Sequence, residues 1–181
     1  MDVRSRLVDS GVELLERDGL QSLTLRTIAR AAGVSHGAPR HHFPTYAALL
    51  AAIAREGITD LDERLSPALT DPDAAVAIRT AAAAYVAFAT ERPEMFALIT
   101  RHDLLEGAGG HLRKTTGRWI AALHTRLSEA RKAPIDLEDT AALWASVHGL
   151  ATLTSRRSAE PVADVDPSAT LARVLDLHLR P

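Results

Sequence analysis

The sequence has no cysteine, which excludes disulfides, thiolate nucleophiles and cysteine zinc sites at once. Aromatic residues make up only 4% and β-branched runs are few, which speaks against a sheet core built from valine, isoleucine and aromatic side chains. No apolar run approaches the roughly 20 residues that span a bilayer. The opening stretch, MDVRSRLVDSGVELLERDG, is charged and amphipathic and lacks the apolar core of a secretory signal. A soluble, cytoplasmic protein is therefore expected. The net charge is −2, so no global basic field points to nucleic acid, and that case must rest on local charge.

What is abundant is alanine, the best helix former. With 46% hydrophobic and 24% charged residues, the composition suits a folded core rather than a disordered chain. The expected fold class is all-α, with about nine helices. Val3, Leu7, Val8, Leu14 and Leu15 share one face of a first helix over 3–18, ended by Gly19. Thr24 caps a short helix from Leu25 to about Ala32, and Gly33 stops it. Ser35 is placed to cap a third short helix running to about Phe43. Pro44 breaks the chain, and Thr45 caps a long helix from Tyr46 to about Leu65.

Pro67 and Pro72 bracket a loop. Asp73 opens a helix to about Thr90, and Pro93 starts a short one. Gly107, Gly109 and Gly110 read as a flexible joint. A helix follows from about Leu112 to Arg131, with Trp119, Ile120, Leu123 and Leu127 inward. Asp136 caps the next, to about Arg156, and a polar loop covers about 159–166. Asp166–Pro167 opens the last helix, to Leu179.

One segment stands apart in charge. From Gly19 to Arg55 there is no Asp or Glu, while the same span holds Arg26, Arg30, Arg40, Arg55, His36, His41 and His42. Carboxylates there would repel phosphates, and phosphate attraction supplies much of the affinity of a DNA-binding protein. Two short helices joined by a tight glycine turn form a helix-turn-helix arrangement, in which Gly33 supplies the positive φ. Val34 would plug the small core. On spacing and charge alone, a solvated helical hairpin and a DNA-binding one are about equally good readings.

Leu23-Thr24, Ile28-Ala29, Ala32-Gly33-Val34-Ser35, His42-Phe43 and Leu49-Leu50 resemble the signature of TetR-type regulators, in register over about the first 50 residues. The resemblance implies an N-terminal helix-turn-helix DNA-binding domain over 1–46 and a helical ligand-binding and dimerisation domain over 47–181. It implies operator DNA, a small-molecule effector and a second copy of the chain as partners, with no cofactor and no metal. Arg26 and Thr27 would touch backbone or a base edge. Ser35, His36, Gly37, Ala38, Arg40 and His41 would face the groove, and Thr24 and His42 would hold phosphates, with a local cap or packing role an equally good reading for His42.

The chain departs from the family pattern twice. Pro39-Arg40 stands where an aliphatic-tyrosine pair is usual. Proline lacks the N–H that would close the first turn after a Ser35 cap, so the recognition helix is expected to be irregular there or to begin nearer Pro39. Arg40 would take a phosphate or a guanine instead. Tyr46 replaces a common lysine, which turns that phosphate contact into a hydroxyl contact or removes it.

Phe88-Ala89 to Phe96, and Trp144 to Val147-His148-Gly149-Leu150, resemble the C-terminal domain of the WHG-motif subgroup. The subgroup implies a dimer made through the helices at about 136–156 and 167–179. Ala142, Ala145, Gly149 and Thr152 offer a small-residue face, and Leu171, Val174, Leu175 and His178 share one side of the last helix. Internal packing is the alternative for both faces. Candidates for the ligand site are Tyr85, Phe88, Phe96, Ile99, Trp119, Leu123, His124, Trp144 and His148, with plain core as the alternative for each apolar one. An apolar or amphipathic ligand follows, controlling a regulator that is a repressor by default.

Two rival classes are weaker. An enzyme would need a spacing such as H-E-x-x-H, G-x-S-x-G or a phosphate-cradling loop, and the sequence has none of these. A pure interaction module would need neither the acid-free segment nor Arg26.

Overall fold

The computed structural model describes residues 2–101, 110–155 and 166–180. Among these residues the protein is helical, with one 3-10 turn and no strand. The helices are α1 (Val3–Asp18), α2 (Leu25–Ala31), α3 (Ala38–His42), α4 (Tyr46–Ala68), α5 (Ala74–Glu91), α6 (Pro93–Thr100), α7 (Gly110–Arg131), α8 (Leu137–Ser155) and α9 (Pro167–His178). No helix among the described residues is long and apolar enough to cross a membrane. Of the expected glycine joint, Gly107 and Gly109 lie outside the described residues and Gly110 begins α7, and all but the last residue of the loop expected over about 159–166 also lie outside them.

Two compact units divide the chain, residues 1–59 with 92–113, and residues 60–91 with 114–181. In the first, α1 buries Leu7, Val8, Gly11, Leu14 and Leu15, the helical stripe that the sequence displays. Asp2, which periodicity does not single out, caps it by accepting from the Ser5 N–H at 2.7 Å. Gly11 lets Ile53 of α4 pack directly on the α1 backbone: a Cβ there would sit 2.4 Å from Ile53 Cδ1. The helix α6 packs on α1. Its Glu94 accepts from the Leu20 N–H at 3.2 Å, and Arg92, just before it, pairs with Glu16 at 2.8 Å.

The second unit is built mainly from α5, α8 and α9, with the end of α4 and most of α7. Its helix starts follow the expected caps. Asp73 accepts from Ala75 and Val76, Asp136 from Asp139, and Asp166 from Ser168 and Ala169. One boundary differs: Pro67 lies inside the last turn of α4, which runs to Ala68. A proline this near the C-terminal end removes a single helical bond, so it does not stop the helix at Leu65.

Candidate functional site

The helix-turn-helix is held by a dense set of local bonds. Thr24 and Thr27 form a reciprocal capping box: the Thr27 N–H donates to Thr24 Oγ1 at 3.1 Å and the Thr24 N–H to Thr27 Oγ1 at 2.9 Å. The Thr27 hydroxyl also donates to the Ser22 carbonyl at 2.7 Å. Gly33 has φ +64, a conformation open to glycine at little cost, and the Val34 N–H donates to the Ala29 carbonyl at 3.0 Å. Val34 is half-buried. From α1, the Arg6 guanidinium donates to the carbonyls of Ala32 and Gly33. A cation on the orphan carbonyls at the end of α2 satisfies them and complements the helix dipole. Sequence reasoning missed Arg6. The need for a cation at that helix end is legible, but nothing local says that a residue 26 positions upstream supplies it.

The recognition helix departs from the Ser35-capped expectation in the way the proline requires. It begins at Ala38, with Pro39 in its first turn and Gly37 before it, and no side chain caps it. Ser35 instead opens a turn, its carbonyl accepting from the Ala38 N–H at 3.0 Å. Pro39 is buried, while Ser35, His36, Gly37, Arg40, His41 and His42 are exposed and Ala38 is half-buried. Arg26, Arg30 and Thr24 on or beside α2 are exposed too. The end of α3 is pinned by Phe43, which is buried with the Arg4 guanidinium 5.0 Å from its ring centroid. The Tyr46 hydroxyl donates to the Leu23 carbonyl, tying the start of α4 to the entry of α2. Partial burial raises the Tyr46 phenol above its ordinary value.

A small cavity of about 50 Å³ lies within the second unit. The end of α4 contributes Leu65 and Leu69. Ile78, Ala81, Ala82 and Tyr85 come from α5, Trp119, Ile120 and Leu123 from α7, and Leu143, Trp144 and Val147 from α8. Four of the nine expected ligand-site residues are thus brought together: Tyr85, Trp119, Leu123 and Trp144. His148 stands behind them, its Nδ1 2.8 Å from the Tyr85 hydroxyl and its ring stacked on Trp144 at 5.7 Å. Phe88 does not line the cavity but is fully buried on α5 with the Arg64 guanidinium over its face. His124 is 2.8 Å from the hydroxyl of the buried Thr140. Phe96 and Ile99 are buried in the first unit.

Sequence reasoning did not single out the alanines Ala81 and Ala82. They are the residues whose short side chains leave room, and they sit one turn before Tyr85 on α5.

Behind the cavity wall, Trp119 Nε1 donates to Asp62 Oδ1 at 2.6 Å, and the Ser66 hydroxyl donates to the same carboxylate at 2.7 Å. Burial works against the Asp62 charge. The indole N–H, the Ser66 hydroxyl and the nearby Arg118 outweigh it and hold this carboxyl below its ordinary value.

The family model described as "Bacterial regulatory proteins, tetR family" matches residues 7–53. The one described as "Tetracyclin repressor-like, C-terminal domain" matches residues 78–177, more than half of the chain. The chain belongs to the TetR family. A curated relative in Bacillus subtilis (strain 168), the uncharacterised HTH-type transcriptional regulator YobS, is 27% identical over 99 residues. That match covers 54% of this chain and 52% of YobS, so it spans about half of the relative's length.

Among solved structures, a Rhodococcus sp. RHA1 protein of unknown function is 28% identical, with a TM-score of 0.82 over 99% of this chain and 94% of that one. AibR, solved in complex with isovaleryl coenzyme A and operator DNA, is 16% identical with a TM-score of 0.74, over 99% and 100% of the two chains, and shares the fold.

The two faces expected to pair between copies of this TetR-family chain differ in their surroundings. On α8, Ala142 and Ala145 are exposed, Gly149 and Thr152 are half-buried, and a Cβ at Gly149 would meet nothing within 4 Å. On α9, Leu171 and Leu175 are buried within the protomer, and Val174 and His178 are half-buried. Leu153 and Leu177 are exposed.

Proposed function

We propose that this chain is a ligand-controlled DNA-binding regulator that acts as a repressor. The observation that carries this is the exposed, acid-free edge of the helix-turn-helix, where Arg26, Arg30, His36, Arg40 and His41 face outward with no carboxylate between residues 19 and 55. Residues 1–46 read DNA, and residues 47–181 bind the effector and dimerise. Arg40, His36, Gly37, Ala38 and His41 enter the major groove, with Arg26 reaching phosphate or a base edge. Thr24, Thr27 and Tyr46 take a smaller share than the family pattern gives them, because their hydroxyls already serve the capping box and the Leu23 carbonyl.

A dimer through α8 and α9 places two recognition helices the roughly 34–36 Å apart that successive major grooves require. The exposed Ala142 and Ala145 face supports close helix approach there. The cavity around Trp119 and Trp144 takes a small apolar or amphipathic effector. The effector lowers DNA affinity by the difference in its own affinity for the two states of the protein. Since α4 contributes residues to both units, it carries the movement. In fluorescence anisotropy on the DNA upstream of the gene, Arg40→Ala is expected to weaken binding at least several-fold at fixed salt. Unchanged affinity removes Arg40 from the interface.

A further inference from the structure

We infer that the cavity is built for a small, uncharged ligand and discriminates against any molecule that brings a formal charge into it; this rests on the effector role proposed above. Among the described residues no charged side chain lines it. The polar atoms at its wall are already committed. The Trp119 indole N–H donates to Asp62, and the Tyr85 hydroxyl is 2.8 Å from His148 Nδ1. Asp62 is taken up by Trp119 and Ser66, and Arg126, next to the α4 end of the cavity, by the Leu69 carbonyl and Glu129. No counter-charge is therefore spare for an ionic ligand, and burying an unpaired charge costs far more than burying a neutral group. The wall is dry enough that burial pushes the Tyr85 phenol far above its ordinary value.

Two rings at the wall invite a second idea, an aromatic cage for a quaternary ammonium ion. The geometry opposes it. Tyr85 and Trp144 pack on each other with centroids 5.1 Å apart at 59°, and Trp144 stacks on His148 on another side. Rings in mutual contact do not stand apart around a cation. The volume, about 50 Å³, is several times the ~10–15 Å³ that one water needs and well short of the ~150 Å³ of a cavity that takes benzene, so it fits a chain of a few carbon atoms and not a ring.

The two tryptophans of the chain, Trp119 and Trp144, both line the cavity, so intrinsic fluorescence reports its occupancy. Titration of the full chain at pH 7 with 1-propanol, propionate and propylammonium compares one short chain in neutral, anionic and cationic form. Propanol is expected to change the emission saturably, and each charged chain to bind at least tenfold more weakly. Ala82→Leu, which fills the cavity, should weaken propanol at least tenfold, and the milder Ala81→Val at least threefold in a chain that keeps its helical circular dichroism. A charged chain that binds as well as propanol, or no saturable response to propanol at concentrations that leave the helical circular dichroism unchanged, overturns the inference. The same preparation is tested on upstream DNA. Propanol binding without any DNA binding refutes the regulator assignment and leaves the cavity's selectivity standing. DNA binding with a preference for a charged chain does the reverse.

Discussion

At the scale of single residues, the helix-turn-helix depends on groups outside its own two helices. Arg6 is the clearest case, because its guanidinium satisfies the carbonyls at the end of α2 that the Gly33 turn leaves open. Arg6→Ala is expected to lower stability by about 1.5–3 kcal/mol in urea unfolding, the range for losing hydrogen bonds from a charged group, with Arg6→Lys in between. An unchanged unfolding midpoint would show that water replaces the guanidinium at no cost.

His178 makes a pH-dependent contribution. Burial, then the positive charge of Arg131, hold its imidazole below the ordinary value, with Asp139 pulling weakly the other way. The folded chain therefore takes up that proton less readily than the unfolded one. Its contribution to stability is fully present above the ordinary imidazole pKa and is lost as pH falls past it toward the lowered value. Between pH 7 and pH 5 the melting temperature of the wild type should drop more than that of His178→Gln. Equal drops would remove His178 as the cause.

At the scale of elements, what could be read in the sequence was what neighbours in the chain decide. Caps at Thr24, Thr45, Asp73, Asp136 and Asp166 sit beside the helices they start, and Pro39 announces the late start of α3 within three residues. The cavity was legible only in part, because its walls come from four helices. Tyr85, Trp119, Leu123 and Trp144 carry bulk that marks them, whereas Phe88, equally bulky, turns toward Arg64, and Phe96 packs in the other unit. Bulk signals burial, and only the three-dimensional packing says against what.

The Trp119–Asp62 bond is a contact of this kind, joining α7 to the last turns of α4 across 57 positions of sequence. A double-mutant cycle of Trp119→Phe and Asp62→Asn should give a coupling energy of about 1 kcal/mol or more in chemical unfolding. Strictly additive losses would mean that the bond links nothing.

At the scale of the whole molecule, the proposed function asks a chain with a net charge of −2 to meet a polyanion through one acid-free segment. Uniform acidity would make that encounter unfavourable at every orientation. Confining the anions to residues before 19 and after 55 leaves one edge of the helix-turn-helix to approach phosphates. The measurement that tests this most directly is anisotropy of a labelled upstream DNA fragment titrated with the protein from dilute buffer to moderate salt. Binding should be saturable, and its logarithm should fall linearly with the logarithm of salt, with a slope of about −0.9 for each phosphate neutralised. Arg40→Ala should reduce that slope by about one if Arg40 meets a phosphate. A chain that binds no fragment in dilute buffer, or one whose binding ignores salt, contradicts the assignment.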